Sequence, residues 1–356
     1  GITDFNIVGV LDRDESNVGK ELCGIKVISI KDVSTDADVI IINSDPSNYE
    51  IIYKRIAKDV IVPVYYADGR LACLSDKDTS YEQNEYWQSS YQELKDKIDK
   101  VEVVSFDIFD TLIMRKIFSP EDVFRLLEEK VRVELKLDCE IANVRAQAAS
   151  MRGSYATINE IYQYIKQQTN LIDKNIIDIM QLEKDIDIDL CIARRDIADL
   201  YEYCIKCKKE VYFISDMYYT LQDIKYILDK CGVTIPDDEH IWISCEKKCD
   251  KVSGSIWKEY SELVGKDIKC LHIGDNKTGD VENPGIDSYY VMSAKDMFMN
   301  SSISELASNV NTVSDSICLG LVVAKLFNSP FALCSTNGKV SFEDSEIYGY
   351  CVYGPL

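Results

Sequence analysis

Continuous runs of Val, Ile and aromatic residues follow one another along 101–300, with amphipathic stretches between most of them. Runs of this kind are typical of parallel strands that are covered on both faces. Helical stretches of about the length that a βαβ crossover needs separate the last four runs. The pattern predicts an α/β fold, a doubly wound parallel sheet formed by 101–118 and 208–300, with the strands VEVVSF, EVYFIS, HIWIS, CLHIG and SYYVMS.

Between the first and second of these strands, residues 119–207 have a helical pattern almost throughout. The Ser-Pro-Glu-Asp sequence at 119–122 predicts a helix start, with a capping serine, an early proline and acids near the positive end of the helix dipole. Thr157 and Glu160 have capping-box spacing. Apolar residues at steps of three and four over 186–204 predict one closing helix. We interpret the insertion as a helical cap over the active end of the core.

Residues 1–75 predict a partial Rossmann-like domain, because Val- and Ile-rich strands alternate with a helix there. The predicted strands cover 6–12, 38–44 and 59–66, and the helix covers 48–57. A complete unit would begin with an earlier strand and a glycine-rich phosphate loop, which this sequence lacks. Asp12, at the end of its strand, is at a position that could hold a ribose. Because the glycine loop is lacking, a loop or capping role is favoured instead.

Two further segments flank the predicted core. Residues 76–100 are polar and end in a helical pattern, so they are interpreted as a linker helix. Residues 301–356 predict a helical extension that ends on the apolar sequence YGYCVYGPL. An ending of this kind suggests a truncated extension and an additional C-terminal domain in a longer protein.

Composition and charge narrow the class of partner. The chain has 61 acidic and 40 basic residues and a net charge of -21, which disfavours nucleic acid and anionic membranes as partners. A phosphorylated substrate would need a local cation to offset this field. The 13 cysteines follow no disulfide framework, and the start of the sequence lacks a signal-peptide pattern. The longest apolar run, 317–327, is too short to span a bilayer, so a cytoplasmic protein without membrane insertion is expected.

Polar residues follow the predicted strands at the sheet edge where open parallel sheets bind ligands. An acid, Asp107, follows the first strand, and a hydroxyl, Ser215, ends the second. Lys251 comes after the third, and Asp275 and Asp280 come after the fourth. A carboxylate nucleophile, a hydroxyl, an amine and an acid pair at one edge favour phosphoryl transfer with Mg²⁺.

These motifs resemble the haloacid dehalogenase (HAD) superfamily of hydrolases. The four stretches SFDIFDTL, FISDMY, KVSGSIW and HIGDNKTGD occur in the superfamily's order, and the insertion resembles its helical C1-type cap. The resemblance covers about 101–300. The FDIFDTLI and SDMY stretches and the YGYCVYGPL ending resemble more narrowly a bacterial subgroup associated with capsule and surface-polysaccharide biosynthesis.

The resemblance implies a role for each matched residue. Asp107 would attack phosphorus and become an aspartyl phosphate, and Ser215 would hydrogen-bond the transferred phosphoryl group. Lys251 would neutralise the charge shared by nucleophile and phosphate. Three neighbours of these motifs are predicted to contact the substrate, namely Thr111, Arg115 and Asp216.

The resemblance also implies a magnesium site. Asp107, the main-chain carbonyl of Phe109 and Asp275 would bind Mg²⁺, while Asp280 would support the metal or Lys251. Carbon–halogen hydrolysis needs no metal, and the dehalogenase branch typically replaces the first acid of the fourth motif. Because both acids are kept here, a phosphatase acting on a small phosphorylated metabolite or sugar phosphate is favoured.

Phe109 departs from the superfamily's pattern. Phosphatases of this type place a second aspartate two residues after the nucleophile, as proton donor and then base, and here Asp110 stands one residue later. Three interpretations follow. The acid comes from Asp110, the cap or water; the enzyme displaces a group other than phosphate, as dehalogenases do; or the domain binds a phosphorylated ligand and catalyses little.

Overall fold

A computed structural model of the chain describes residues 6–22, 24–44, 48–72, 81–152, 155–265 and 267–341. The strands of these residues are β1 (Glu21–Leu22), β2 (Ile25–Lys26), β3 (Ile40–Ile42), β4 (Val64–Tyr66), β5 (Val103–Phe106), β6 (Ile113–Arg115), β7 (Cys191–Ala193), β8 (Glu210–Ser215), β9 (Ile241–Ile243), β10 (Cys270–Gly274) and β11 (Asp287–Tyr290).

The α-helices of the same residues are α1 (Val33–Asp36), α2 (Tyr49–Ile56), α3 (Tyr91–Asp99), α4 (Asp122–Lys130), α5 (Ile141–Arg152), α6 (Ile158–Gln168), α7 (Asp173–Leu190), α8 (Arg195–Lys206), α9 (Leu221–Lys230), α10 (Ser244–Lys247), α11 (Ser255–Val264), α12 (Ala294–Met299) and α13 (Val313–Leu326). Short 3-10 turns and two π-helical turns, Val131–Leu135 and Lys277–Glu282, join several of them.

A five-stranded parallel sheet forms the core, in the order β11-β10-β5-β8-β9. The predicted α/β core is therefore confirmed. Every residue of the central strands β5 and β10 is buried, which explains why these strands are continuous apolar runs. In the register, Phe106 of β5 pairs with Ile273 of β10 and with Phe213 of β8. The residues that follow Phe106 and Ile273 therefore leave the sheet at the same height.

The helical insertion leaves the core through β6 and returns through β7, which pairs antiparallel with β6. Between them lie α4 to α7, and the predicted capping box of Thr157 and Glu160 is confirmed at the start of α6. The insertion lies against the loop after β8, because the Ile158 main-chain nitrogen donates to the Tyr218 carbonyl at 2.7 Å.

The prediction of one closing helix over 186–204 is wrong. Helix α7 ends at Leu190, residues 191–193 form β7, and α8 begins at Arg195. Pairing with β6 satisfies the backbone of 191–193 in place of helical hydrogen bonds. Helix α8 then packs on the core, where the Tyr201 ring lies 4.9 Å from the Phe213 ring. Helix α7, the last helix before β7, thus ends at Leu190, 17 residues before the predicted boundary at 207.

The N-terminal part contains one βαβ unit, in which β3 and β4 are parallel and α2 connects them. The strand predicted over 6–12 is wrong in extent, since Val10 forms only an isolated bridge with Val27. A short hairpin of β1 and β2, which the hydrophobic pattern did not indicate, follows instead. A longer strand over 6–12 would need neighbouring strands to pair its backbone groups, and among the described residues only the bridge at Val10 supplies such pairing.

The predicted linker and C-terminal extension pack together. Helix α3 covers only part of the predicted linker, and Tyr86 and Trp87 before it are buried in a second apolar cluster. That cluster also contains Phe298 of α12 and Val323 of α13. Residues 76–80 and the YGYCVYGPL ending lie outside the described residues.

A search of the described residues for a helix long and apolar enough to cross a bilayer finds none.

Substituting Gly320 tests the close packing of α13. A Cβ atom at this position would lie 2.4 Å from the Ile117 Cα atom, which is main chain and cannot rotate away. Gly→Ala inside a helix normally stabilises by about 0.5–1 kcal/mol. Here we expect Gly320→Ala to lower the free energy of unfolding by about 1–3 kcal/mol, because overpacking outweighs the helix preference. Urea denaturation should show this loss, with the exposed Ser314→Ala as control, and a gain in stability would contradict the packing described.

Candidate active site

The parallel register brings the first and fourth motifs to one edge of the sheet. Asp107 follows β5, and its main-chain nitrogen donates to the Ile273 carbonyl at 2.9 Å. Asp275 follows β10 directly. Ser215 is the last residue of the neighbouring strand β8 and is buried. Three of the predicted catalytic and metal residues therefore converge because their strands end side by side.

Lys251 connects the nucleophile to the fourth motif. Its Nζ atom lies 2.5 Å from Asp107 Oδ1 and 2.7 Å from Asp280 Oδ1. All three side chains are buried, so this ammonium and its two carboxylates interact with little solvent screening. The other two lysines of this loop point elsewhere, since Lys247 lies over the Trp242 ring and Lys248 donates to the Tyr155 carbonyl.

Asp280 is held on both of its carboxylate oxygens. Oδ1 also lies 3.1 Å from His272 Nε2, and Oδ2 accepts from the Asn276 main-chain nitrogen at 2.9 Å. The carboxylate sits directly against Gly274, where a Cβ atom would come within 2.4 Å of Asp280 Cγ. Of its two predicted roles, these contacts favour support of Lys251. The ion pair with Lys251 also helps to keep the pKa of Asp280 below its usual value in spite of burial.

Carboxylate oxygens of Asp107, Asp275 and Asp280 lie within 4.8 Å of one another. Burial strongly raises the pKa of Asp275, and the negative charges of Asp107 and Asp110 raise it further. Buried carboxylates that disfavour each other's ionisation fit a divalent cation, and oxygen donors are those that Mg²⁺ prefers. Phe109, the predicted source of a carbonyl ligand, lies in the same turn as Asp107, and its role as a ligand stays a prediction.

The three predicted substrate contacts differ in what they touch. Thr111 is buried, and its Oγ1 lies 3.4 Å from Asp275 Oδ1, so it borders the acid pair. Asp216 accepts from the Lys251 main-chain nitrogen at 3.1 and 3.0 Å on its two oxygens. Asp216 thus positions the loop that carries Lys251.

Arg115 makes internal contacts. Its Nε lies 2.5 Å from Asp187 Oδ1, and its guanidinium lies 4.5 Å from the centre of the Phe109 ring. Asp187 also accepts from the Tyr219 hydroxyl at 2.6 Å. Arg115 also lines the cavity that contains Asp275, so its role as a substrate ligand stays a prediction. The Phe109 side chain packs under the Arg115 guanidinium.

Asp110 has a left-handed backbone, with φ 60°. Its carbonyl accepts from Arg194 Nη1 at 2.5 Å. Burial raises the pKa of its carboxyl group, although Arg115 and Arg194 oppose this effect. Its side chain lines the same cavity as Asp275. A carboxyl group that resists ionisation beside such a cavity is suited to proton transfer.

A cavity of about 1110 Å³ opens beside Asp110 and Asp275. Its walls come from segments 84–93, 114–121 and 275–300. Among the described residues, none of 122–190 lines it. The inserted helices therefore do not form the wall of this cavity. Asp107, Ser215 and Lys251 do not line it either, so the helical cap over the active end stays a prediction. Lys277 and Lys295 supply positive charge to the cavity.

Arg194 is a site residue that the sequence pattern missed. It is fully buried and also donates to the carbonyls of Met292 at 3.0 Å and Asn328 at 3.2 Å. These bonds tie the turn after Asp107 to the C-terminal part of the chain. The sequence did contain a signal for it. Arg194 and Arg195 are adjacent within the apolar pattern of 186–204, and they mark the place where the predicted single helix is interrupted.

No family model matches the chain, and no curated protein matches it. Solved structures with a similar fold include a HAD family hydrolase from Deinococcus radiodurans R1 with bound phosphate and sodium (14% identity, TM-score 0.32, 53% of this chain and 79% of that chain). Another is a HAD family enzyme from Bacteroides thetaiotaomicron in complex with magnesium and inorganic phosphate (16% identity, TM-score 0.35, 54% of this chain and 95% of that chain).

A third is 2-haloacid dehalogenase from Pseudomonas syringae pv. Tomato DC3000 (12% identity, TM-score 0.39, 53% of this chain and 86% of that chain). Likenesses at these scores and identities do not establish an activity for this chain. Its function is therefore inferred from its own side chains.

The acid site predicts how metal and pH act together. Burial raises the pKa of Asp107 to about 7, because it outweighs the attraction of Lys251. Because this folded-state pKa lies above the unfolded value, the contribution of Asp107 to the stability of the metal-free protein is lost as the pH rises from about 4 to about 7. Mg²⁺ binds the ionised form, so it should raise the melting temperature by several degrees at about pH 8 and little at about pH 5.

Thermal melts in EDTA or Mg²⁺ measure this difference, and Asp107→Asn should remove most of it. Equal gains from Mg²⁺ at both pH values would contradict the assignment.

Proposed function

We propose that this chain is a Mg²⁺-dependent hydrolase of the HAD type that cleaves a phosphate ester through an aspartyl phosphate on Asp107. The observation that supports this most is the buried contact of Lys251 with Asp107 and Asp280, 2.5 and 2.7 Å away. A carboxylate that attacks a phosphate meets like-charge repulsion, and a fixed ammonium at the nucleophile reduces it.

In the proposed reaction a carboxylate oxygen of Asp107 bonds to phosphorus while the bond to the ester oxygen breaks. The leaving oxygen takes a proton, and the aspartyl phosphate remains. Water then attacks phosphorus, inorganic phosphate leaves, and the Asp107 carboxylate returns. Ser215, buried at the end of β8, is proposed to hydrogen-bond the phosphoryl oxygens during both steps.

Asp107, Asp275 and the Phe109 carbonyl are the residues we propose for Mg²⁺, with Asp280 supporting them through Lys251. When bound, the metal would offset negative charge shared by the substrate phosphate and these carboxylates.

Asp110 is our candidate for the proton donor and for the base that activates water. Its raised pKa and its place on the cavity wall support this role. Phe109, at the usual position, cannot transfer a proton. Of the interpretations that the sequence left open, supply of the acid by Asp110 is thus the one with structural support.

A small phosphorylated metabolite or sugar phosphate is the proposed substrate class. Lys277 and Lys295 offer cations at the cavity beside Asp275. A role in surface-polysaccharide biosynthesis, a C1-type cap and a cytoplasmic location stay predictions, as does the division into a partial Rossmann-like domain, linker, core, cap and extension.

Replacing the nucleophile is the direct test. We expect Asp107→Asn to lower p-nitrophenyl phosphate hydrolysis in Mg²⁺ by roughly a thousandfold or more, because an amide cannot attack phosphorus. Lys251→Met should cause a comparable loss. The exposed Asp237→Asn is the matched control. If wild type shows no turnover above Asp107→Asn with several phosphate esters, the domain binds a ligand without catalysis. Halide release from 2-haloacids without metal would instead indicate a dehalogenase.

Asp110→Asn separates the two chemical steps. Asparagine tolerates the left-handed backbone, so the turn should keep its shape. The p-nitrophenolate group leaves without a proton, so the first step should survive, whereas activation of water should fail. We expect a burst of about one p-nitrophenolate per enzyme and then turnover slower by about 10²–10⁴-fold. Stopped-flow absorbance measures both phases. Glu121→Gln, which changes another acid of the same cavity, is the control. If Asp110→Asn turns over at the wild-type rate and shows no burst, Asp110 is not the base.

A further inference from the structure

A second cavity, of about 780 Å³, lies between the N-terminal unit and the start of the inserted helices. Its walls come from 11–30, 44–59 and 118–125, with Ser308 and Asn311. It shares Phe118 and Glu121 with the first cavity. None of the catalytic candidates described above lines it, so it is a separate site.

Three arginines of different segments line this second cavity: Arg13, Arg55 and Arg125. All three are half-buried. Two of them have a carboxylate partner, because Arg13 pairs with the buried Asp122 and Arg125 lies 3.2 Å from Asp12 Oδ1. A cluster of three guanidinium groups is informative in a chain with a net charge of -21.

Arg55 is the one of these three arginines without an ion-pair partner among the described residues. Its Nη2 donates to the Ala307 carbonyl at 3.0 Å, and no carboxylate of the described residues forms an ion pair with it. The Nε atoms of Arg55 and Arg13 are both buried without a hydrogen-bond partner among those residues. Burial lowers the pKa of Arg55, and the nearby positive charge of Arg13 lowers it further, while the buried Asp122 carboxylate opposes both effects. Asp122 is already paired with Arg13, so Arg55 has no ion-pair partner of its own among the described residues. A bound anion would supply one.

The rim of the cavity adds little selectivity. Its exposed residues carry both signs, Lys54 and Lys58 against Glu15, Asp59 and Glu121. Water and salt screen charges at such positions. The inner charges are three arginines against Asp12 and Asp122, so one positive charge, that of Arg55, is left to favour an anionic ligand.

The surroundings favour an organic anion. Ser44 and Asn48, which follow β3, line the cavity, and ligands of open parallel sheets bind at such carboxyl ends. The isoleucines 28, 30, 51 and 52 supply an apolar wall. Small-molecule sites combine an apolar wall with a few placed polar groups in this way.

We propose that this cavity binds a small organic phosphate, with its phosphate group on Arg55, Arg13 and Arg125 and its apolar part against the isoleucines. The planar guanidinium matches phosphate oxygens in two-point hydrogen bonds. The site lies outside the proposed hydrolytic centre and does not depend on that centre's activity.

Isothermal titration with AMP, UMP and inorganic phosphate tests the proposal, with Asp107→Asn as the parent to prevent turnover. We expect at least one nucleotide to bind more tightly than inorganic phosphate. Adding Arg55→Gln or Arg125→Gln should weaken that binding by roughly ten- to a hundredfold, since each removes a charged hydrogen-bond donor. Lys251→Met, at the hydrolytic centre, should leave it unchanged.

Arg70→Gln is the matched control, because Arg70 lies in the same N-terminal unit, is exposed and pairs with Asp68. Arg55→Lys keeps the charge and loses the two-point geometry, so an intermediate affinity is expected. Thermal melts identify a misfolded variant, and Arg125→Gln carries the test if Arg55→Gln does not fold. The proposal is overturned if neither nucleotide binds, if Arg125→Gln and the folded Arg55 variants bind like Arg70→Gln, or if Lys251→Met abolishes binding.

Discussion

A buried ammonium between two buried carboxylates organises the active end of this protein. Lys251 contacts Asp107 and Asp280 at once, and an ammonium at this depth would be costly without both partners. The arrangement depends in turn on Gly274, since a side chain there would occupy the space of the Asp280 carboxylate. Asp107, Lys251 and Asp280 thus form one unit rather than three independent residues.

Two arginines, the buried Arg194 and the partly buried Arg115, connect this unit to the rest of the chain. Arg194 donates to carbonyls of Asp110, Met292 and Asn328, and so connects the turn after the nucleophile with segments far away in sequence. Arg115 pairs with Asp187 of the insertion and covers the Phe109 ring. Phe109 is therefore a packing residue in this turn, and Asp110 is the residue of the turn that we propose for proton transfer.

The cavity beside this turn is walled by segments other than the inserted helices. Residues of 275–300 supply about half of the lining, including Lys295, and 84–93 before the core supply a further part, including Glu93. The linker and extension are packed around buried Trp87 and Phe298, so this wall is part of the folded structure. The inserted helices instead rest on the loop after β8.

Local pattern alone was sufficient for the core strands and for the residues that follow them. Strands such as β8 and β10 are buried on both faces, so their apolar runs show directly in the sequence, and the residue after each run lies at the sheet edge. Phe109 and its consequence for the acid were also visible in the sequence.

Features that depend on contacts between residues distant in sequence were decided only by the tertiary structure. The stripe over 186–204 fits one helix locally, yet pairing with β6 and the hydrogen bonds of Arg194 break it. Lys247, Lys248 and Lys251 are chemically alike. The backbone of their loop, held by Asp216, brings only Lys251 to Asp107. The arginine-lined cavity joins three segments that no local pattern connects. Periodicity reports which face of an element is buried, whereas the identity of its neighbour is set when the chain folds.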